Sequence, residues 1–160
     1  MKRSVLLFLL LATSFISWSQ SKKFVGVWSL VSVENVNADS SRTYPYGENP
    51  VGMLIFGKDG DYASQLLKAK RPKITSNNKN TATPEENKAL VQGNNSHFGT
   101  YIIDEKDHTI TYKVEYAFFP NWEGRELKAS YILSGDTLRS FSTNTTFGGS
   151  SVIVTWRRRR

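Results

Sequence analysis

The chain has 160 residues, 39% hydrophobic and 22% charged, with a formal net charge of +7. That length suits one domain, and the composition excludes a wholly disordered chain. Cysteine is absent and the only histidines are His97 and His108, which excludes disulfides, thiolate nucleophiles, iron–sulfur clusters and Cys-bound zinc.

The N-terminus reads as an address. Lys2 and Arg3 precede an apolar run from Val5 to Ala12, extended through Phe15 and Ile16. Ser17-Trp18-Ser19 follows, with small residues at its first and third positions. This is the order of a secretory signal peptide, with cleavage after Ser19. The expected division is a signal peptide over 1–19 and one barrel domain over 20–160, exported to the periplasm or the cell exterior. No apolar stretch of 18 residues occurs beyond this run, so no integral membrane segment is expected after cleavage.

The charge concentrates at the two ends. Removing Lys2 and Arg3 from the 21 basic residues leaves 19 against 14 acidic ones, and removing Arg157 to Arg160 leaves 15 against 14. A nucleic-acid binder carries a basic face across its fold, so no nucleic-acid partner is expected. The Arg tail reads as a solvated terminus.

Short β-type runs separated by turn residues dominate the rest. Strands are expected at Val25–Glu34, Val51–Phe56, Asp61–Leu67, Phe98–Ile103, Thr109–Tyr116, Arg125–Leu133, Thr137–Thr143 and Ser150–Arg157. Gly57-Lys58-Asp59-Gly60, Asp104-Glu105-Lys106-Asp107 and Ser134-Gly135-Asp136 supply hairpin turns. Residues 68–96 interrupt the pattern: Lys68–Asn80 reads as a basic, Asn-rich loop, and the whole segment is a candidate lid. Within it, Thr83-Pro84-Glu85-Glu86 combines an N-cap Thr, a Pro at the first helical position and a Glu three residues after the cap. One short helix is expected near 84–92. Eight strands joined hairpin to hairpin predict an all-β, eight-stranded antiparallel up-and-down barrel, which also removes exposed sheet edges. Such a barrel either fills with its own side chains or holds one small ligand.

Several segments carry a resemblance. They are Gly26-Val27-Trp28-Ser29-Leu30-Val31-Ser32, Tyr46-Gly47-Glu48-Asn49-Pro50-Val51-Gly52-Met53-Leu54-Ile55-Phe56, Asp59-Gly60, Ala82-Thr83-Pro84-Glu85-Glu86, Phe118-Phe119-Pro120-Asn121-Trp122-Glu123-Gly124 and Ser134-Gly135-Asp136-Thr137-Leu138. In this order they resemble the bacterial and fungal lipocalin-like domain family, and Gly26-Val27-Trp28 looks like the Gly-x-Trp signature of calycins. The resemblance implies a small calycin-like barrel and leaves activity open. It also implies that Trp28 closes one barrel end under a C-terminal arginine, Arg157 or Arg158. The family often has a His before the Val-Glu pair where this chain has Tyr112-Lys113, and an Arg where it has Lys128.

Period-two alternation assigns the faces. Trp28, Leu30 and Ser32 share one face. Ile110, Tyr112, Val114 and Tyr116 oppose Thr111, Lys113 and Glu115, and Leu127, Ala129, Tyr131 and Leu133 oppose Lys128 and Ser130. The aromatic loops around Tyr46 and around Phe119, Asn121 and Trp122 do not follow strand periodicity. They read either as an aromatic rim around the barrel mouth or as a plug. The candidate ligand-binding residues are therefore Tyr46, Gln65, Phe119, Asn121, Trp122 and Lys128.

The leading reading is an exported barrel binding a small, largely apolar or amphipathic molecule in a cavity of about 300 Å³ or more. No cofactor and no metal are expected, since no three-ligand cluster is spaced for one. The rival readings are an isomerase or cyclase with Glu115 as base and Tyr101 or Tyr112 as proton donor, and a filled barrel acting through its surface.

Overall fold

The computed structural model describes residues 22–160. The expected signal peptide over 1–19 lies outside the described residues. The strands are β1 (Gly26–Val36), β2 (Arg42–Thr43), β3 (Val51–Phe56), β4 (Asp61–Leu67), β5 (Asn94–Asp104), β6 (Thr109–Ala117), β7 (Glu126–Ser134), β8 (Thr137–Ser142) and β9 (Ser151–Arg158). Each of β3 to β8 pairs antiparallel with the next, and β1 pairs with both β3 and β9. Eight strands thus close into a barrel, as their hairpin spacing predicts. The two-residue β2 is an addition that folds back on the end of β1.

The helix α1 spans Pro84–Gln92. Its capping box is complete: Thr83 Oγ1 accepts from the Glu86 amide at 3.1 Å, and Glu86 accepts from the Thr83 amide at 2.9 Å. The other Glu86 carboxylate oxygen ties the preceding loop by accepting from the Thr75 amide and hydroxyl, both at 2.9 Å. No residue of α1 is buried. The helix lies on the outside of the barrel, and its stability rests on its caps more than on packing.

The core sits at the end of the barrel around Trp28. Phe24, Trp28, Leu54, Phe56, Tyr101, Ile110 and Leu138 are each almost completely buried. Phe24 packs edge-on against Phe56 and Tyr131, with ring centroids 6.0 and 4.9 Å away. The Trp28 indole nitrogen donates to the Phe24 carbonyl at 2.9 Å. That bond draws the chain before β1 across the barrel end, so Phe24 becomes its plug.

Two bulges overturn part of the alternation read from the sequence. In β1 the register with β9 shifts between Leu30 and Ser32, leaving Val31 unpaired and exposed. The extra residue reverses the phase, so Val33 and Asn35 turn inward in place of Ser32. In the β5–β6 pair, Gly99 lies opposite Val114 and Phe98 opposite Tyr116. Glu115 is the extra residue, and Tyr116 faces out instead of continuing the inward set. A Cβ at Gly99 would stand 2.1 Å from the Lys113 carbonyl oxygen and 2.9 Å from the Glu115 amide. Gly99→Ala is therefore expected to lower stability by about 2 kcal/mol, because backbone rather than a flexible side chain must yield. Urea denaturation would show it as a lower midpoint with an unchanged slope.

The C-terminal arginines are held, not free. Arg158 donates to the carbonyls of Val25, at 3.0 Å, and Lys23. Arg159 donates to the Ser29 hydroxyl, and Arg160 pairs with Asp136 at 2.8 Å. The strand phase that brings Trp156 inward also brings Arg158 in, and its guanidinium carbon lies 4.1 Å from the centre of the Trp28 ring. Arg157, in the opposite phase, is exposed. The arginine over Trp28 is thus Arg158, not Arg157.

Candidate functional site

At the end of the barrel away from Phe24 the interior is hollow. A cavity of about 110 Å³ lies among inward side chains of β1, β3–β9 and three loops. Its apolar wall includes Leu54, Leu66, Leu127, Ala129, Val154 and Trp156. Its polar groups come from Asn35, Ser64, Asn95, His97, Ser140 and the loop Asn144–Thr146. Tyr46, Pro45, Trp122 and Phe147 rim the mouth, with Phe147 edge-on to Tyr46 at 5.4 Å. The Asn35 amide donates to the Gly148 carbonyl at 3.0 Å and so pins the loop that carries Phe147.

β5 supplies the most polar part of the wall. Asn95, His97, Gly99 and Tyr101 alternate with outward residues, so Asn95 and His97 share one inward face. His97 Nδ1 lies 2.8 Å from the Tyr62 hydroxyl. The rings of Tyr62, Tyr112 and Trp122 surround the imidazole at 5.4, 5.9 and 5.5 Å. With three rings packed around it and no carboxylate bonded to it, the imidazolium is poorly solvated, and burial lowers the His97 pKa to about 4. Burial pushes the Tyr46 hydroxyl up to about 12, partly opposed by hydrogen bonds from Asn95 and Thr146. The Tyr62 and Tyr112 hydroxyls are raised by burial as well. At neutral pH the titratable groups of the cavity wall are therefore all uncharged.

The family model described as a lipocalin-like domain matches residues 25–159, nearly all of the described chain. The chain belongs to that family. Among solved structures it is similar to As-p18, an extracellular fatty acid binding protein, at 18% identity and a TM-score of 0.39, covering 86% of this chain and 96% of that one. No curated protein matches it.

The lipocalin-like barrel separates the candidate residues read from its sequence. Tyr46 and Trp122 line the cavity. Gln65 does not: Tyr62, Ser64 and Leu66 take the inward positions of β4 and leave Gln65 exposed on the outer face. Lys128 is likewise outside, because Leu127 and Ala129 take the inward positions of β7. Phe119 packs edge-on against Trp122 at 5.9 Å from outside the cavity wall, and Asn121 is exposed in the turn between them.

The groups considered for proton transfer are also scattered. Glu115 is exposed at the β6 bulge and does not line the cavity. The Tyr101 hydroxyl is occupied elsewhere, donating to the Gly57 carbonyl at 2.9 Å. Tyr112 alone of the three lines the cavity. The candidate lid over 68–96 places only Asn95 in the wall, whereas all four residues of 144–147 line it.

Asn35, Asn95, His97 and Phe147 escaped the sequence reading. His97 and Asn95 lie two and four residues before Gly99 and were reachable by carrying the Tyr101 phase backwards. Asn94-Asn95-Ser96 reads as loop because Asn is rare in strands, yet β5 starts at Asn94 and pairs residue for residue with β4. Phe147 had one signal, an aromatic residue inside a glycine-containing loop.

Proposed function

We propose that this lipocalin-like barrel is an exported protein that binds one small, largely apolar molecule in the hollow beneath Tyr46 and Phe147. The observation that carries the reading is an interior cavity of about 110 Å³, apolar along most of its wall, on a barrel whose other end is packed solid. A void of roughly 150 Å³ accommodates benzene, so a small outward shift of the rim lets the hollow take a single ring or a short chain. The hollow is smaller than the roughly 300 Å³ or more of an ordinary small-molecule pocket. A larger ligand enters by displacing Phe147 from Tyr46, which moves a loop and leaves the sheet alone. Binding draws on apolar burial at about 25 cal/mol per Å². It requires neither a cofactor nor a metal.

Native mass spectrometry of the protein purified from its own host tests this. A retained small molecule is the expected result. Ala129→Leu, which adds bulk to the cavity wall, is expected to lose that molecule while keeping the barrel's circular dichroism. A protein that arrives empty and binds no small apolar probe would count against the reading.

Export belongs to the same proposal, with 1–19 as the signal peptide and 20–160 as the mature domain. N-terminal sequencing of protein recovered from the periplasm or medium is expected to begin at Gln20. Recovery only from the cytosol, with the N-terminal segment intact, would oppose it.

A further inference from the structure

We infer that the cavity selects an uncharged ligand bearing a hydrogen-bond donor, a hydroxyl or N–H group, which pairs with Asn95. This rests on the binding reading above and narrows it to a chemical class.

The first observation is electrostatic. Among the described residues lining the cavity there is no Lys, Arg, Asp or Glu. The one side chain able to become a cation near neutral pH is His97, and its aromatic surroundings keep it neutral there. An ionised carboxylate, sulfate or phosphate entering this space would lose its hydration and meet no counter-charge. An ammonium group would meet no carboxylate. The ligand head is therefore neutral.

The second observation is an unpaired acceptor. Asn95 is 7% exposed and lines the cavity, and its Oδ1 has no hydrogen-bond partner. Its side chain shares the wall with the Tyr46 hydroxyl, on which it acts as a hydrogen-bonding neighbour. A buried acceptor left without a donor is costly, and a ligand N–H or O–H removes that cost.

His97 supplies the complementary group. The Tyr62 hydroxyl has Nδ1 as its hydrogen-bond partner. With the hydroxyl donating, the ring proton is assigned to Nε2, which becomes a donor. A hydroxyl group, which both donates and accepts, matches the Asn95 and His97 pair better than a group that only accepts.

The test compares phenol and toluene, which have nearly the same shape, with benzoate. Each is titrated into the purified protein at pH 7 and followed by amide chemical shifts. Phenol is expected to bind about ten-fold more tightly than toluene, and benzoate more weakly than either. In Asn95→Leu the phenol advantage is expected to vanish while toluene still binds, which also shows that the variant is folded. Equal affinity for phenol and toluene in the unaltered protein would mean that water already satisfies Asn95, and would overturn the inference while leaving apolar binding standing. Tightest binding of benzoate would overturn the requirement for a neutral ligand. No shift with any of the three would remove this inference together with the binding reading.

Discussion

Trp28→Ala is expected to destabilise the barrel by about 3–5 kcal/mol, the usual range for deleting a large aromatic side chain from a core. Three things are lost together. The ring is fully buried, and its removal leaves a void at the packed end. Its indole N–H no longer holds the Phe24 carbonyl, so the plug that packs on Phe56 and Tyr131 comes free. Arg158 also loses the ring face beneath it, a contact of roughly 0.5–2 kcal/mol. Denaturant unfolding of Trp28→Ala, Arg158→Ala and the double variant measures the coupling, and the cycle is expected to be clearly non-additive. Arg157→Ala is the control and should stay within about 0.5 kcal/mol of the unaltered protein, as exposed positions do. An equal loss at Arg157 and Arg158 would contradict the stacking arrangement.

The second large effect is a loss of stability in mild acid. His97 has a folded pKa of about 4, against roughly 6.5 in an unfolded chain. Between those values the unfolded chain binds a proton that the native protein does not. Stability therefore falls as pH drops through about 6.5 and stops falling on this account near pH 4; above pH 7 His97 contributes no pH dependence. At about 1.4 kcal/mol per pKa unit the full loss is about 3.5 kcal/mol. Tyr62, Tyr112 and Trp122, the rings against His97, do not titrate in that window. Comparing unfolding midpoints at pH 7, 5.5 and 4 with those of His97→Gln isolates the effect, because carboxylates titrating near pH 4 are common to both proteins. The variant is expected to show a flatter dependence between pH 6.5 and 4. Identical slopes would mean that the imidazole is solvated in the native state.

Most of the fold was legible because hairpin turns and alternation are local signals. The strands joined at Asp59-Gly60 have the expected ends, and those joined at Ser134-Gly135-Asp136 differ from the expected ones by at most one residue. The capping box placed α1 at Pro84–Gln92 from four residues. The site was less legible, for three physical reasons. A bulge inserts one residue and inverts every inward assignment beyond it, and neither Val31 nor Glu115 differs in type from an ordinary strand residue. Polar side chains such as Asn95 and His97 enter a barrel wall when its interior is hollow, against their strand propensity. Loop aromatics obey no period, so the structure was needed to set Tyr46, Trp122 and Phe147 around the mouth and to leave Phe119 and Asn121 outside.

The seam between β1 and β9 has a kinetic consequence. It pairs Trp28 with Arg158 and Val36 with Ser151, contacts between nearly opposite ends of the described chain. Every other junction of the ring joins strands that follow one another once the small β2 is set aside. Hairpins can form early and locally, but the ring waits for its most distant partners, and such non-local pairing slows folding. Until it forms, β1 and β9 each present an unpaired edge that another chain can extend. A growing polypeptide remains a curled open sheet until its final strand is free to dock, and concentration during that interval decides between closure and aggregation.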